Sequence, residues 1–536
     1  MRFIKYGFAI IAAISVASCG GGSGSSAPPV VVAPPPPVST GPTWTNGVFE
    51  PASNFKSRCE TPRAGTSDLA GSILEENHWL RSWSNETYLW YNEITDVDPG
   101  TVNVPTDYFD LLKTNAITPS GNPQDQFHFT RNTEEYQELV NSGASAGYGA
   151  RVALISASVP REIKVAYVEA GSPASSAPAN LMRGTEIIQI DGANVVDGSA
   201  DILNAGLFPA DPGETHTFTV RDVGATATRT FDMVSQTVTT LPVNVATTLD
   251  TPSGKVGYLH FTTFGTDSAE EAVYNAMTDF SNAGVDELVL DLRYNGGGFL
   301  DIAGQIGYMI AGLAQTNGKA FDNLVFNDKN PTTNPVTGQT LAPTPFHRTG
   351  QGFSLNSSVQ LPSLNLSRVF ILSTARTCSA SEAVINGLRG ADVEVVLIGT
   401  TTCGKPYGFY ATDNCGTTYF TIQFRGENDK GFGDYADGFS PADATANVGE
   451  AIPGCEIGDD FSQTLGNQNE AQFAAALTYI ETGACPVGTP KTGTFAKAFK
   501  GKPALEDVTS LYNDERVRTR LFLEQSLIVT RPEGDE

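Results

Sequence analysis

Three short stretches of this sequence hold residues that could make and break bonds. They are Cys378, Ser379 and Ser381 in "TCSASEAVINGLRG" (377–390), Lys405 in "GTTTCGKPYGF" (399–409), and Gly296-Gly297-Gly298 after "ELVLDLRYN" (287–295). A serine paired with a lysine can carry out acyl transfer if the lysine accepts the hydroxyl proton. Its pKa must then fall from ~10.4 to roughly 7–8, which corresponds to about 3.5–5 kcal/mol of desolvation and local charge. A buried apolar slot can produce such a shift. Each stretch also has a plainer reading. Ser379-Ala-Ser-Glu382 is a capping box, a single lysine is most often solvated, and three glycines can be a tight turn. A phosphate-binding reading of the glycines fails because the Gly-Lys-Ser/Thr ending is missing.

The elements around these residues fit either reading of Ser379, a helix cap or a nucleophile, so the decision comes from the rest of the chain. "VFIL" (369–372) and "VEVVLIG" (393–399) are β-branched runs, and between them Val384, Ile385 and Leu388 fall on one helical face. This strand–helix–strand unit places Ser379 at the carboxyl end of a strand and at a helix N-terminus, where unpaired N–H groups favour developing negative charge. Lys405, flanked by Gly404 and Pro406 just past the second strand, can fold back toward that point. "KVGYLHF" (255–261), a helix over 268–283 ended by Gly284, and a helical pattern in "DIAGQIGYMIAGL" (301–313) extend the alternation. An α/β domain over residues 245–486 is expected.

Upstream, the pattern shortens to strands over 145–240: "GYGARVALIS", "IKVAYVE", "EIIQIDG" and "HTFTVRD". Before that, 68–94 carries Ile73, Leu74, Trp79, Leu80, Trp83, Tyr88, Leu89 and Trp90 at helical spacing, which predicts a small helical domain within 44–140. The start, "MRFIKYGFAIIAAISVAS" (1–18), has the basic residues and short apolar run of an export signal. Val16-Ala17-Ser18-Cys19 resembles a bacterial lipobox, which implies lipid on Cys19. Gly20 after it resembles lipoproteins sent to the outer membrane, with a periplasmic or surface-facing chain. Residues 19–43 are a Gly/Ser-rich and then Pro-rich tether. Residues 487–536 read as a linker and a short helical tail, "DERVRTRLFLEQSL".

A net charge of −26 argues against nucleic acid and anionic lipid as partners. Beyond Cys19, six cysteines remain (Cys59, Cys378, Cys403, Cys415, Cys455, Cys485), an even number that in an exported chain favours disulfides, with ~15 possible pairings. No His has metal-ligand spacing to them, so neither a metal nor another cofactor is expected. The five histidines, His78, His128, His216, His260 and His347, lie in no recognisable catalytic setting.

"GYLHFTTFG", "LVLDLRYNGGG", "TCSASEAVINGLRG" and "LIGTTTCGKPYG", in this order over most of 145–450, resemble the C-terminal processing peptidases, or tail-specific proteases, with a Ser-Lys pair and a PDZ domain. The resemblance implies a multidomain α+β chain with a crotonase-like peptidase core. It implies Ser379 as nucleophile, Lys405 as general base, and the N–H groups of Ala380 and Gly297 as oxyanion hole, with Ser381 structural. It also implies a PDZ-like module over 145–240, whose loop Gly147-Tyr148-Gly149-Ala150 would hold a peptide carboxylate. The substrates implied are C-terminal or unfolded segments of exported polypeptides. Many members place a Gln four residues after the lysine. Here Phe409 stands there, able to desolvate Lys405 but not to orient it, and Gln423 is a candidate for that role. Cys378 and Cys403 flank the two catalytic positions, and a disulfide between them would brace the site. Two other functions are consistent with the sequence: a peptide-binding lipoprotein without hydrolysis, and an ester or amide hydrolase on the same machinery.

Overall fold

The "VFIL" and "VVLI" runs are apolar at every position because both faces of their sheet are covered. The structure, a computed structural model, describes residues 41–446 and 448–487 and the backbone of 528–529. Its central sheet has six strands in the order Val243–Thr251, Gly254–Phe261, Glu287–Asp291, Arg368–Ser373, Glu394–Gly399 and Gly454–Glu456. The first pair is antiparallel and every later pair parallel. Leu288, Leu290, Val369, Ile371, Val395 and Leu397 face one way, into a core with helices Ser268–Ala283, Leu300–Thr316 and Ala380–Gly390. Their neighbours Val289, Phe370, Leu372, Val396 and Ile398 face the other way, against helix Ala471–Thr482. Helix Ser268–Ala283 stops where Gly284 turns left-handed, at φ +66°.

Residues 150–234 form a second, β-rich module whose main strands run in the order Arg229–Val234, Thr215–Arg221, Glu186–Ile190, Glu162–Val168 and Ala150–Ser156. It has its own core around Ile163, Val165, Ile187, Leu203, Phe218 and Val220. Arg183 ties it to the central domain by donating to Tyr294 Oη (2.9 Å) and pairing with Asp459.

In the N-terminal region the helix is shorter than the 68–94 pattern suggests. It runs Ile73–Thr87 and ends because Tyr88 is extended, at ψ 135°. Trp79, Leu80 and Trp83 pack with Phe109 and with Tyr419 of the central domain. Strand Phe129–Asn132 adds antiparallel to Thr417–Phe420, and Cys59 is disulfide-bonded to Cys415. The other bridges are Cys378–Cys403 and Cys455–Cys485. No described helix is long and apolar enough to cross a membrane. Cys19 and the tail helix expected over 514–527 lie outside the described residues.

Candidate active site

Strand Glu287–Asp291 delivers the loop "LRYNGGG" to the carboxyl edge of the sheet, and buried polar groups fix that loop. Arg293 donates to Asp291 (Nη2, 2.6 Å), Glu470 (Nη1, 2.7 Å) and Asp459 (Nη1, 3.0 Å). Asn295 is the hinge to the next segment. Its Nδ2 donates to Phe261 O (2.9 Å), its Oδ1 accepts from Gly297 N (2.9 Å), and its carbonyl accepts from Cys378 N and Ser381 Oγ, both at 3.1 Å. The Ser381 hydroxyl is thus engaged in holding the two segments together.

Ser379 stands at the start of helix Ala380–Gly390 with φ +60° and ψ −114°. A side-chain-bearing residue in that region carries strain of order 1–3 kcal/mol and needs its surroundings to hold it there. Glu382 does part of the holding, since its Oε2 accepts from Ser379 N at 3.0 Å. The return half of the capping box does not form as a hydrogen bond, because Ser379 Oγ is buried without a hydrogen-bond partner. The hydroxyl is therefore not occupied in capping the helix. Ala380 opens the helix, so its N–H has no acceptor within it. Gly297 lies against this corner. A methyl group there would come 2.8 Å from Ser379 Cβ and 2.9 Å from Ala380 N, so only glycine fits.

Lys405 is brought to the same corner by the same carboxylate. Glu382 Oε2 also accepts from Lys405 N (2.8 Å), while its Oε1 accepts from Gly404 N (2.9 Å) and Thr402 Oγ1 (2.5 Å). One buried side chain thereby joins the backbone of the serine to that of the lysine. The Cys378–Cys403 disulfide makes a second link between the same two segments. Cys378, Glu382 and Cys403 lie within 4.8 Å of one another, but the two sulfurs are bonded together. The cluster is a clasp.

The Lys405 side chain is fully buried, its Nζ 4.3 Å from the centre of the Phe409 ring and 4.7 Å from that of Phe127. Burial pushes its pKa well below the ordinary lysine value, and the charges of Asp125 and Glu382 only partly oppose this. A lysine whose neutral form is favoured in this way accepts a proton more readily than a solvated one. Gln423 Oε1 accepts from Tyr410 N (2.8 Å), which commits its carbonyl to the backbone.

The backbones of Ser379, Ala380, Gly297 and Lys405 are thus held at one corner. Gly147, Tyr148, Gly149 and Ala150 lie apart from them, in the β-rich module. There Gly149, at φ +75°, passes so close to Ser172 that a Cβ would lie 2.3 Å from Ser172 Cβ. The carbonyls of Tyr148 and Gly149 accept from Ala174 N (2.9 Å) and Glu169 N (2.7 Å). Two residues near Lys405 carry no signal in the sequence pattern, Asp125 and Phe127 from the N-terminal region, while Asn295 and Thr402 lie within the quoted motifs but were given no role. Glu382 was visible only as a helix cap.

Residues 255–409 match peptidase family S41. Among solved structures, the chain is similar to a Bacteroides fragilis NCTC 9343 protein described as an S41 protease. The identity is 25% over 76% of this chain and 97% of that one, with a TM-score of 0.56. It is also similar to a photosystem II D1 C-terminal processing protease, at 20% identity over 69% of this chain and 92% of that one, with a TM-score of 0.42. No curated protein matches the sequence.

Proposed function

We propose, from the premise that the chain carries a peptidase family S41 domain over residues 255–409, that it is a serine endopeptidase working through an acyl-enzyme. Ser379 Oγ attacks the peptide carbonyl and its proton passes to the neutral amine of Lys405. The lysine returns that proton to the leaving amine, and water then releases the acyl group. Ala380 N–H and Gly297 N–H receive the oxyanion, each such donor being worth about 2.7–4 kcal/mol in the transition state. Because Gly297 N–H donates to Asn295 Oδ1 here, it must exchange that acceptor for the oxyanion. The observation that carries this reading is the double grip of Glu382 on Ser379 and on a fully buried Lys405.

In the same reading the β-rich module is PDZ-like and presents Gly147–Ala150 to a peptide carboxylate. The chain is a lipoprotein anchored at Cys19 to an outer membrane, and its substrates are C-terminal or unfolded segments of other exported proteins. The fragment from residue 44, incubated with an unfolded protein, is expected to cut it, and Ser379→Ala and Lys405→Ala are each expected to lower the rate at least ~1,000-fold. Cleavage that survives Ser379→Ala sinks the assignment. The commitment of Gly297 N–H to Asn295 favours one alternative, a peptide-binding protein that does not hydrolyse. That alternative gains if peptides bind residues 145–240 and nothing is cut.

A further inference from the structure

The two residues after Gly297 form a short strand, Gly298–Phe299, with one edge already in use. Phe264 N donates to Gly297 O (2.9 Å) and Phe299 N to Phe264 O (3.0 Å). A Cβ on Gly298 would lie 2.1 Å from Phe264 C, so that side is closed by backbone. The other edge is taken by the chain itself. Strand Ile528–Val529 pairs with it in parallel, Gly298 opposite Ile528 and Phe299 opposite Val529, and the same two residues run beside Tyr407–Gly408. The segment therefore passes between the strand that follows Gly297 and the strand that follows Lys405. An extended peptide awaiting attack by Ser379 would lie in that slot.

We propose that Gly298–Phe299 is the strand on which the active site takes up peptides, by β-pairing, and that the chain's own segment at Ile528–Val529 is its resident occupant, competing in cis with substrate. The ligand class follows from the pairing. Main-chain hydrogen bonds to a sheet edge select an extended backbone, and "SLIVT" (526–530), apolar and β-branched with no charge, is a sequence of that type. A tethered competitor acts at an effective concentration in the millimolar range. An incoming peptide must outbid it, so the apparent affinity falls by the fraction of sites left open. The idea rests on reading Ser379 and Lys405 as hydrolytic, and its test separates the two.

The full chain carrying Ser379→Ala is followed by amide hydrogen exchange with and without an excess of a synthetic peptide of residues 523–534. The amides of Ile528 and Val529 are expected to exchange slowly at rest and quickly once the peptide is added. Fast exchange at rest, or protection that the peptide leaves unchanged, overturns the proposal. In the otherwise unaltered chain, Val529→Pro removes a donor and strand geometry from the competitor alone. It is expected to lower KM for a fluorescein-labelled unfolded casein about tenfold and leave kcat unchanged, and an unchanged KM refutes the competition. If the segment is protected and displaced but neither form hydrolyses the casein, occupancy stands and the hydrolytic reading fails instead.

Discussion

Arg293 and Lys405 are both buried entirely, yet their surroundings treat the charge in opposite ways. Around Arg293, burial alone would push the guanidinium down, but Asp291, Glu470 and Asp459 together outweigh it and hold the pKa well above the ordinary value. Around Lys405 two aromatic rings lie 4.3 and 4.7 Å from the amine, and burial outweighs the charges of Asp125 and Glu382. A ring face does attract an ammonium, by up to about 2 kcal/mol when desolvated, which is less than full burial opposes. The first cation serves as a permanent tie, fixing the loop that carries Gly297. The second sits where proton exchange is possible. The two charge states thus follow from whether nearby carboxylates outweigh burial, as at Arg293, or only partly offset it, as at Lys405.

Breaking the tie gives the largest effect. Arg293→Met leaves Asp291, Glu470 and Asp459 facing one another without their common partner, and is expected to cost about 3–5 kcal/mol in urea unfolding. A cost below 1 kcal/mol would mean that the network does not hold the loop. Lys405→Met should move stability the other way. The folded pKa lies well below the unfolded 10.5, so between the two values the unfolded chain binds a proton that the folded chain does not. The parent gains stability as pH rises through that window, and the variant does not. The gain from Lys405→Met is therefore greatest at acid pH and gone above 10.5. A gain independent of pH, or a loss, would show that Lys405 is not held neutral.

The sequence made one of these two environments easier to read than the other. The strand–helix–strand unit around Ser379 was legible because both faces of the sheet are buried, so the middles of its strands are uniformly apolar. The positions of Ser379 and Lys405 beside strand ends were legible from the same pattern, while the roles expected of them came from the resemblance to a peptidase family. The slot around Lys405 was not, since Asp125 and Phe127 arrive from a distant part of the chain and nothing local marks them. Phe409 was anticipated as a desolvating ring, and the structure adds Phe127 beside it. The cysteine pairing depended on the same long-range folding, as Cys59 meeting Cys415 shows. The capping box expected at Ser379-Ala-Ser-Glu382 is present, but only its Glu382 half makes a hydrogen bond, and the Ser379 hydroxyl is left without one.

The smallest expected effect tests how far a carboxylate reaches into the lysine slot. Asp125 is held by Tyr88, whose hydroxyl donates to Oδ2 at 2.7 Å, and by Phe127 N, which donates to Oδ1 at 2.9 Å. Asn at this position keeps the shape and an acceptor for Phe127 N but removes the charge that favours the ammonium form of Lys405. Without it the Lys405 pKa falls further, so the acid limb of the kcat/KM–pH profile moves to lower pH while the plateau keeps its height. His128, 3.8 Å from Asp125, is pushed down to about 4 by burial and stays neutral over the range that matters. A limb that stays in place, or moves to higher pH, would mean that Asp125 acts on Lys405 only through packing. Burial, opposed only by Glu382, would then set the charge of the base, and the contrast with the three carboxylates around Arg293 would sharpen.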